Sequence, residues 1–551
     1  MAPIFVGSNN EDSRIRSNRI GFAASTADPG SLVTGDAYYN STDNQLKIYD
    51  GSALSPVSGG GGTVELTASG SLSNGQTVII KSDGTATGIA TTGQSASMGS
   101  LVVVGTYGSS DWASTFDSGK NKVLLVYRTT SQQGAVRYAT VSGTTVTLGT
   151  PRVFTTDSGA GNVYQFSAAF NPTDGYYIVV YKDDDDSNKG KLVLGTWTDS
   201  GNDETFTYSP VTFQTGGSPG VGDMAVVYDS NADKVAIIYS YSDQFGSGSA
   251  GVSKFRVGTM NEYSITLGSA GTFDSNYFNY PVAAFDSVNN KVVVAYRKGG
   301  SSPYSGEVKV GEISGSGSSA TMSFGSAVSF SSVNTQDIGL AFDPNEGKFL
   351  IAYRDDSTAI GVAKIGVVSG NSMTIGAGTT FGVADTYDLT PVYDSNAKKF
   401  VINYKISDGN EKWYYRVANV DGTTITLEDR VEVFDNIQSE TTSVFDPSSN
   451  TVVSAGEIGG ASGDDSVRAY KIEYLNTTLT SENFIGFSDA AYTNGQTAKI
   501  QIVSSVDDAQ TGLTTGSQLY VQKDGSLGTT ADTPSVFAGT ALSGTEISIK
   551  N

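Results

Sequence analysis

Short apolar runs alternate with polar turns along most of the chain, and one combination of them recurs at a regular interval. The repeated phrase contains small residues, an aromatic residue, Asp or Asn, a polar turn, usually Lys, and an apolar run that mostly ends at Tyr. The aromatic residues are Phe116, Phe170, Tyr228, Phe285, Phe342, Tyr393 and Phe445. Seven copies, separated by 54, 58, 57, 57, 51 and 52 residues, predict seven equivalent structural units.

A second phrase follows each of the first six copies. In it, an apolar or aromatic residue, followed by Gly in four copies, precedes Phe by five to seven positions. The pairs are Leu148 and Phe154, Tyr208 and Phe213, Leu267 and Phe273, Phe324 and Phe330, Ile375 and Phe381, and Leu427 and Phe434. With the alternating stretch between the phrases, each unit contains four predicted strands, called A, B, C and D in chain order. Such repeats are typical of β-propellers, so the predicted fold is all-β with a seven-bladed β-propeller.

The two ends of the repeat region complement each other. The seventh copy has no second phrase, whereas an unmatched copy of that phrase, Met98 followed six positions later by Val104, precedes the first repeat. We therefore expect residues 96–104 to provide strand D of the seventh blade, which closes the ring and leaves no open sheet edge. The predicted propeller spans residues 96–482.

The segments on either side, residues 64–90 and 483–551, resemble each other more than they resemble a blade. An Asn-Gly pair at 74–75 recurs at 494–495, and such pairs are typical of tight hairpin turns between alternating strands. Because a closed propeller brings its two chain ends together, we expect both segments to fold as one small β-domain into which the propeller is inserted.

Residues 1–57 form a separate N-terminal segment, and the Gly-rich stretch 58–63 is a predicted flexible linker. The segment is too short and too poor in apolar residues to be stable alone, so we expect it to fold against a docking partner or against copies of itself. Its predicted hairpin at 35–53 carries aromatic residues on both arms. The candidate docking residues are Arg14, Arg16, Arg19, Tyr38, Tyr39 and Tyr49.

Composition narrows the possible chemistry. The 551 residues include no His and no Cys, which excludes histidine bases, Ser-His and Cys-His nucleophile pairs, zinc–thiolate sites and disulfides. The formal net charge of −22 disfavours binding to nucleic acid, and no apolar run approaches the ~18 residues of a membrane helix. The N-terminal sequence lacks the features of a signal peptide, so we expect synthesis in a cytoplasm, no membrane insertion and no cofactor.

An acidic or amide residue follows the aromatic residue in every copy of the first phrase. These residues are Asp117, Asn171, Asp229, Asp286, Asp343, Asp394 and Asp446. One interpretation is a set of catalytic carboxylates, but glycosidase carboxylates are few and convergent rather than one per repeat. The tight A–B turn favours a structural role, in which the side chain accepts hydrogen bonds from the local backbone. The Asp-box phrase of sialidases is absent, and we predict that the protein is not an enzyme.

Two further charged features have both a chemical and a structural interpretation. A cation follows the end of strand B in five copies, and we interpret it as a group that caps the strand. These cations are Arg128, Lys182, Arg297, Arg354 and Lys405. The run Asp183–Asp186 is the best oxygen cluster for a hard cation such as Ca²⁺, although it lacks the spaced ligands of a known calcium loop. A solvated acidic loop is the alternative.

The loops of the predicted blades differ between the two ends of the ring. A–B turns are short and uniform, whereas B–C and D–A loops vary and open on the same face. Exposed aromatic residues beside polar ones are typical of sugar and protein recognition. The candidate receptor face contains Tyr241, Phe245, Tyr277, Phe278, Tyr280, Tyr304, Tyr387 and Trp413.

Parts of the chain resemble the structural proteins of tailed phages, including marine phages. The matching stretches are the hairpin at 35–53, Ile485–Tyr492, Thr511–Leu527 and Ala538–Ser543, and the repeats resemble those of the same proteins. The resemblance implies a virion protein, a tail fibre or spike subunit made in the host cytoplasm. It also implies other virion proteins as partners of the N-terminus, and a homo-oligomer with a trimer as the expected form.

We therefore expect a fibre or spike whose propeller recognises a host-surface glycan or protein, with avidity from several copies on one particle. Two alternatives stay open at this point. The first is a capsid-attached fibre, or a decoration or assembly protein, without host contact. The second is a polysaccharide depolymerase that works without His and uses Asp or Glu pairs.

Overall fold

The computed structural model divides into two compact units, Met1–Thr91 with Thr477–Asn551, and Thr92–Asn476. Its described elements are β-strands and one short 3-10 helix, Gly317–Ser319, which confirms the predicted all-β class. None of these elements is a helix long and apolar enough to span a bilayer. The structure describes residues 24–25, 37–40, 45–49, 54–56, 62–106, 111–155, 162–200, 203–217, 220–242, 251–261, 264–300, 302–383, 385–407, 409, 411–459 and 464–550.

The first described elements of the N-terminal unit form a four-stranded sheet with the order β1-β2-β3-β4. Its strands are β1 (Ala24–Ser25), β2 (Ala37–Asn40), β3 (Gln45–Tyr49) and β4 (Leu54–Pro56). β2 pairs antiparallel with β3, and Tyr38 lies opposite Lys47 in the register. This pairing confirms the predicted hairpin within residues 35–53.

The two flanks of the repeat region contribute strands to the same sheet, whose order is β5-β44-β43-β6-β7. The N-terminal flank provides β5 (Thr63–Thr67), β6 (Thr77–Ile80) and β7 (Ala86–Gly88), and the C-terminal flank provides β43 (Phe484–Ser488) and β44 (Thr497–Gln501). A second sheet has the order β45-β49-β48-β46-β47. It consists of β45 (Val506–Asp507), β46 (Gln518–Val521), β47 (Leu527–Gly528), β48 (Val536–Ala541) and β49 (Ile547–Ile549).

Within the described residues of Thr92–Asn476, seven antiparallel sheets follow one another, each built from strands A, B, C and D. Sheet 1 contains β10 (Trp112–Asp117), β11 (Lys122–Arg128), β12 (Gly134–Ser142), β13 (Thr145–Leu148) and β14 (Arg152–Val153). Sheet 2 contains β15 (Val163–Asn171), β16 (Tyr176–Asp183), β17 (Lys189–Ser200) and β18 (Asp203–Gln214). Sheet 3 contains β19 (Gly220–Asp229), β20 (Lys234–Ser242), β21 (Val252–Asn261), β22 (Ser264–Leu267) and β23 (Gly271–Asp274).

The next three sheets repeat this order. Sheet 4 contains β24 (Phe278–Asp286), β25 (Lys291–Lys298), β26 (Gly306–Ser314), β27 (Thr321–Phe324) and β28 (Val328–Ser331). Sheet 5 contains β29 (Thr335–Asp343), β30 (Lys348–Asp355), β31 (Ile360–Ser369), β32 (Ser372–Ile375) and β33 (Thr379–Thr380). Sheet 6 contains β34 (Thr386–Tyr387), β35 (Val392–Asp394), β36 (Lys399–Ile406), β37 (Lys412–Asp421), β38 (Thr424–Leu427) and β39 (Val431–Phe434).

Sheet 7 combines strands from both ends of this unit. Its strands are β40 (Ile437–Asp446), β41 (Thr451–Ile458), β42 (Asp464–Thr477), β8 (Thr91–Met98) and β9 (Val102–Thr106). β8 and β9 both pair with β42, and Val102 lies opposite Val467. The expectation of one strand at 96–104 differs from these two segments, because Gly99 interrupts the strand and donates its N–H to Ala469 O at 2.9 Å.

The same interruption divides strand D in most of the other sheets. In sheet 1, β13 and β14 both pair with β12, and Gly149 at the break donates its N–H to Tyr138 O at 2.9 Å. Sheet 2 is different, since β18 runs unbroken along β17 except for one register shift. The second sequence phrase therefore marks strand D, whose spacing recurs between repeats and whose pairing with strand C is usually interrupted.

Strand A of each sheet packs against strand A of the next sheet, and β40 of sheet 7 packs against β10 of sheet 1. The described inner strands therefore follow one another in cyclic order around an axis. Farther from the axis, a cation on strand C bonds a backbone carbonyl of the preceding sheet. Arg416 donates to Phe381 O at 3.1 Å, and Lys309 donates to Phe273 O at 2.7 Å. Arg137 of sheet 1 donates in the same way to Val104 O of β9.

Strand B is buried on both faces, which explains its unbroken apolar sequence. Along β11, Leu124 and Val126 lie in a core shared with sheet 2, whereas Val123 and Leu125 lie in a core shared with sheet 7. Each strand B thus contributes alternate side chains to two cores. The sheets are held together by these shared cores.

The Phe of strand D packs over the beginning of strand C. A Cβ added to Gly134 would approach the ring of Phe154 to 2.4 Å, so only Gly fits there. The same contact joins Gly306 to Phe330. This packing explains why a Gly at the start of strand C accompanies the Phe of strand D in the sequence.

Candidate functional site

The end of the ring that carries the A–B turns, here called the turn end, is uniform. Asp117 Oδ1 accepts the backbone N–H of Gly119 and of Lys120, both at 2.9 Å. Corresponding bonds to the two backbone N–H groups ahead are made by Asn171, Asp229, Asp286, Asp343, Asp394 and Asp446. The structural role predicted for these residues is confirmed.

The opposite end, here called the bulge end, is formed by the B–C loops and by the first part of each strand A. The register of strand A against strand B shifts there, for example between Asn279 and Val282 in sheet 4 and between Gln336 and Gly339 in sheet 5. Such bulges re-aim the side chains of the extra residues. Asp337 has a positive φ of 45°, a conformation that is uncommon for residues other than Gly.

One residue near the start of strand A occupies an equivalent position in each sheet, five residues before the aromatic residue of that strand. These seven residues, here called the axial ring, are Asp111, Gln165, Asp223, Tyr280, Asp337, Asp388 and Glu440. Gln165 accounts for two contacts between sheets, since its N–H donates to Asp111 Oδ1 at 2.9 Å and its Nε2 donates to Asp223 Oδ1 at 2.7 Å. Asp223 Oδ2 also accepts the N–H of Tyr280 at 3.0 Å.

Burial and mutual repulsion raise the pKa of several ring carboxyl groups. Burial, followed by the nearby charges of Asp111, Asp388, Asp337 and Asp223, raises the pKa of Glu440 to about 8. Burial and the charge of Asp388 raise the pKa of Asp337 to about 7. Glu440 is nevertheless an exposed residue.

The cations after strand B lie beside the axial ring. Lys405 Nζ lies 3.1 Å from Asp388 Oδ2, and Arg128 Nε lies 4.0 Å from Asp111 Oδ2. The guanidinium of Arg297 donates to Asn279 Oδ1 at 2.8 Å. These three cations offset part of the negative charge at this end, and their predicted capping of strand B stays a prediction.

Several predicted receptor-face aromatic residues are less available than expected. The prediction is wrong for Phe278 and Trp413, which are fully buried. Phe278 packs against Phe273, with the ring centroids 5.5 Å apart, and Trp413 lies in the core that contains Val433. Both residues belong to strands whose inward side chains fill the space between sheets, so their position near loops did not make them exposed.

The other predicted aromatic residues that the structure describes are partly accessible, and cations cover four of them. Arg354 lies 4.4 Å from the ring centroid of Tyr387, and Lys254 lies 4.1 Å from that of Tyr241. Arg297 lies over both Tyr280 and Tyr304. Tyr277 is 38% exposed, and Phe245 lies outside the described residues.

The candidate docking residues are only partly described. Arg14, Arg16 and Arg19 lie outside the described residues. Tyr38 and Tyr39 belong to β2, and Tyr49 is the last residue of β3, where it is half-buried. Their docking role stays a prediction.

Lysines pair with three of the four acids in the run Asp183–Asp186. Lys191 Nζ lies 2.7 Å from Asp183 Oδ2 and 2.9 Å from Asp186 Oδ2, while Lys182 pairs with Asp184 at 2.9 Å. A cavity of 160 Å³ lies beside Lys191. Across the part of the chain that the structure describes, no group of three or more acidic residues is arranged to hold a metal ion.

Sequence reasoning missed the axial ring. Its members share a position but not one residue type throughout, and no repeated phrase surrounds them, so a search for a repeated phrase passes over them. The available signal was the fixed offset of five residues from the repeated aromatic residue. Four of the seven positions are Asp, and a fifth is Glu.

No protein-family model matches the chain, and no curated protein matches it. Solved structures with some similarity include the β-propeller domain of Myceliophteria thermophila Cps50 (Swd1), at 9% identity and a TM-score of 0.43, covering 69% of this chain and 100% of that one. A Trypanosoma rangeli sialidase in complex with the inhibitor DANA has 11% identity and a TM-score of 0.38, covering 75% of this chain and 60% of that one. A triple arginine-to-alanine mutant of AofleA from Arthrobotrys oligospora has 9% identity and a TM-score of 0.38, covering 64% and 94%. These similarities include β-propeller domains and carry no statement about activity or ligands.

Proposed function

We propose that Thr92–Asn476 is a seven-bladed β-propeller closed by β8 and β9, and that the protein is a fibre or spike subunit of a phage virion. Seven described sheets with inner strands in cyclic order support the blade number. The resemblance of residues 35–53 and of the C-terminal stretches to phage structural proteins supports the virion assignment. Residues 1–57 dock the subunit onto other virion proteins, and the subunit assembles as a homo-oligomer.

The bulge end recognises a glycan or protein on the host surface. The observation that carries this assignment is the contrast between the two ends of the same strands. Each turn places Asp or Asn at the same position, whereas the axial ring contains Asp, Gln, Tyr and Glu. A position that serves only to stabilise a turn can use the same kind of residue in every repeat. Positions on a contact surface vary with the groups that they bind.

The bulge end offers groups that suit sugar hydroxyls or peptide donors. Glu440 is exposed to solvent at this end, so its carboxylate is accessible to a ligand. Tyr277 lies just before β24 and keeps much of its ring accessible. Carboxylate and amide oxygens beside an exposed aromatic ring are a common arrangement in polar recognition sites.

The test compares two exposed residues of sheet 4 at opposite ends. Tyr277→Ala changes the bulge end, and Val288→Ala changes the A–B turn, where Val288 is 52% exposed. Purified full-length protein should compete with virions for adsorption to host cells. We expect Tyr277→Ala to weaken this competition about tenfold, which corresponds to about 1.4 kcal/mol, and Val288→Ala to leave it unchanged.

Three results would contradict the proposal. Equal competition by both variants would remove the bulge end from recognition. Adsorption that persists when an antibody covers the propeller would favour a decoration or assembly protein without host contact. Release of oligosaccharide from host envelope polysaccharide would favour the depolymerase.

A further inference from the structure

Sheet 6 brings a lysine, a side-chain amide and a carboxylate together across three adjacent strands. Lys399 begins β36, Asn419 lies in β37, and Glu428 follows β38. The register of β36 against β37, continued by one residue, places Lys399 directly opposite Asn419. Glu428 lies two positions beyond the residue that is opposite Asn419. Opposed and diagonal residues of neighbouring strands are close enough for long side chains to meet.

The amide of Asn419 lies between the other two groups and contacts both. Lys399 Nζ donates to Asn419 Oδ1. Asn419 Nδ2 donates to Glu428 Oε1 at 2.8 Å. The amine is thus in contact with an electrophilic amide, and the carboxylate is in contact with the nitrogen that leaves when such an amide is attacked.

The carboxylate stands where other sheets have a glycine. The backbone N–H of Glu428 donates to Val417 O of strand C at 2.9 Å. The residue that donates in the same way at the break of strand D is Gly in sheets 1, 3, 4, 5 and 7. These glycines are Gly149, Gly268, Gly325, Gly376 and Gly99. Sheet 6 therefore places a side chain at this position where most of the described sheets have none.

The amide is also particular to sheet 6. Lysine begins strand B in several sheets, and in sheet 4 this residue, Lys291, pairs with Glu312 on strand C at 2.6 Å. In sheets 3 and 5, Thr259 and Val367 occupy the position opposite the lysine. Among the described sheets, only sheet 6 combines a lysine that begins strand B with an opposed amide and a neighbouring carboxylate.

The surroundings favour the neutral form of the lysine. All three residues are half-buried, and the ring centroid of the buried Tyr474, which belongs to sheet 7, lies 5.5 Å from Lys399 Nζ. Burial lowers the pKa of the Lys399 ammonium, against the opposing charges of Glu428 and Asp394. A lysine attacks a carbonyl carbon as the neutral amine, and partial desolvation makes this form more available.

We propose that Lys399 and Asn419 are joined by an intramolecular isopeptide bond, which the folded chain forms by itself with Glu428 as the proton carrier. The Lys399 ammonium first releases one proton to solvent. Its neutral Nζ then attacks Asn419 Cγ, and the Nζ–Cγ bond forms. Glu428 accepts a proton from Nζ and gives it to Nδ2, the Cγ–Nδ2 bond breaks, and ammonia leaves. The reaction is balanced without an oxidant, a reductant or a cofactor.

The bond would link strands B and C of sheet 6 covalently. Contact between the reacting groups in the folded chain replaces an encounter in solution, which is the main requirement for a slow amide exchange of this kind. The two strands would then stay joined when the hydrogen bonds of their ladder open locally.

The test is the intact mass of the purified full-length chain. We expect a mass that is lower than the mass calculated from the expressed sequence by one molecule of ammonia, in most molecules. Digestion and tandem mass spectrometry should then yield a branched peptide in which Lys399 is joined to Asn419. The full calculated mass, or separate linear peptides that contain these two residues unmodified, would overturn the proposal.

Variants locate the loss of ammonia. Lys399→Arg and Glu428→Gln should both have their full calculated mass, because the first lacks the nucleophile and the second lacks the proton carrier. The matched control is Lys291→Arg, since Lys291 begins strand B of sheet 4 opposite a carboxylate. This control should lose ammonia to the same extent as the unmodified chain.

The Asn-Gly pairs at 74–75 and 494–495 require the same control, because a succinimide at such a pair also releases ammonia. A loss that persists in Lys399→Arg would assign the ammonia to such a pair and overturn the proposal. A branched peptide that persists in Glu428→Gln would overturn the role of Glu428. The branched peptide of the unmodified chain tests the bond even when a variant fails to fold, and no part of the test depends on host recognition.

Discussion

The turn end and the bulge end are opposite ends of the same inner strands, yet they follow different rules. At the turn end, the residue after the aromatic is Asp or Asn in each repeat, and it bonds the local backbone in each sheet. At the bulge end, the residue five positions before the aromatic varies in charge and size, and it contacts neighbouring sheets or faces their charges. Residues at the turn end thus stabilise their own sheet, whereas residues at the bulge end determine the chemical groups at that end of the ring.

The largest expected effect comes from removing a turn carboxylate. Asp286 is fully buried and accepts the N–H groups of Val288 and Asn289. We expect Asp286→Ala to lower the free energy of unfolding by about 3 kcal/mol, because two backbone donors lose their acceptor. Chemical denaturation of the full chain measures this loss.

The control keeps an acceptor oxygen at the same place. Asp286→Asn should cost about 1 kcal/mol, because Asn171 fills the equivalent position in sheet 2 with the same two backbone bonds. Equal losses for the Ala and Asn variants would show that the turn does not depend on the side-chain acceptor.

A smaller effect is expected at the bulge end. Asp223 links three sheets through Gln165, Asn279 and the N–H of Tyr280. We expect Asp223→Ala to cost about 2 kcal/mol, less than at the turn, because solvent replaces part of the lost bonding. Asp223→Asn, which retains one acceptor oxygen, should recover about half of the loss in the same denaturation measurement. A cost above that of Asp286→Ala would reverse the contrast between the two ends.

The sequence predicted the elements whose residues are set by local geometry. The aromatic residue followed by Asp and a polar turn located strands A and B, because an Asx turn needs its acceptor at one fixed position. The phrase ending at Phe154 located strand D, and the Gly within that phrase lies at the break of the strand. Because the same residues recur in successive repeats, these local requirements could be recognised in a single sequence.

The sequence could not predict features that depend on neighbouring sheets. Trp413 and Phe278 belong to segments beside variable loops, and only the adjacent sheet decides that their rings are buried. The axial ring was missed for a related reason. Its residues become neighbours through closure around the axis, and no consensus residue marks them.

The closure of the ring by an upstream segment is the central claim of this account. A chain without Cys allows a direct test, because an engineered pair of cysteines has no competing thiol. Val103 of β9 lies opposite Ser466 of β42, and directly opposed residues of an antiparallel pair bring their Cα atoms to within about 5.5 Å, a distance that a disulfide can bridge. Thr140 and Thr147, opposed in sheet 1, provide the positive control.

The decisive measurement is the intact mass and thiol content of the Val103→Cys, Ser466→Cys variant after mild oxidation. We predict an intramolecular disulfide in most molecules, to the same extent as in the Thr140→Cys, Thr147→Cys control. Free thiols in the first variant beside a complete disulfide in the control would show that β9 does not pair with β42, and would contradict the closed ring.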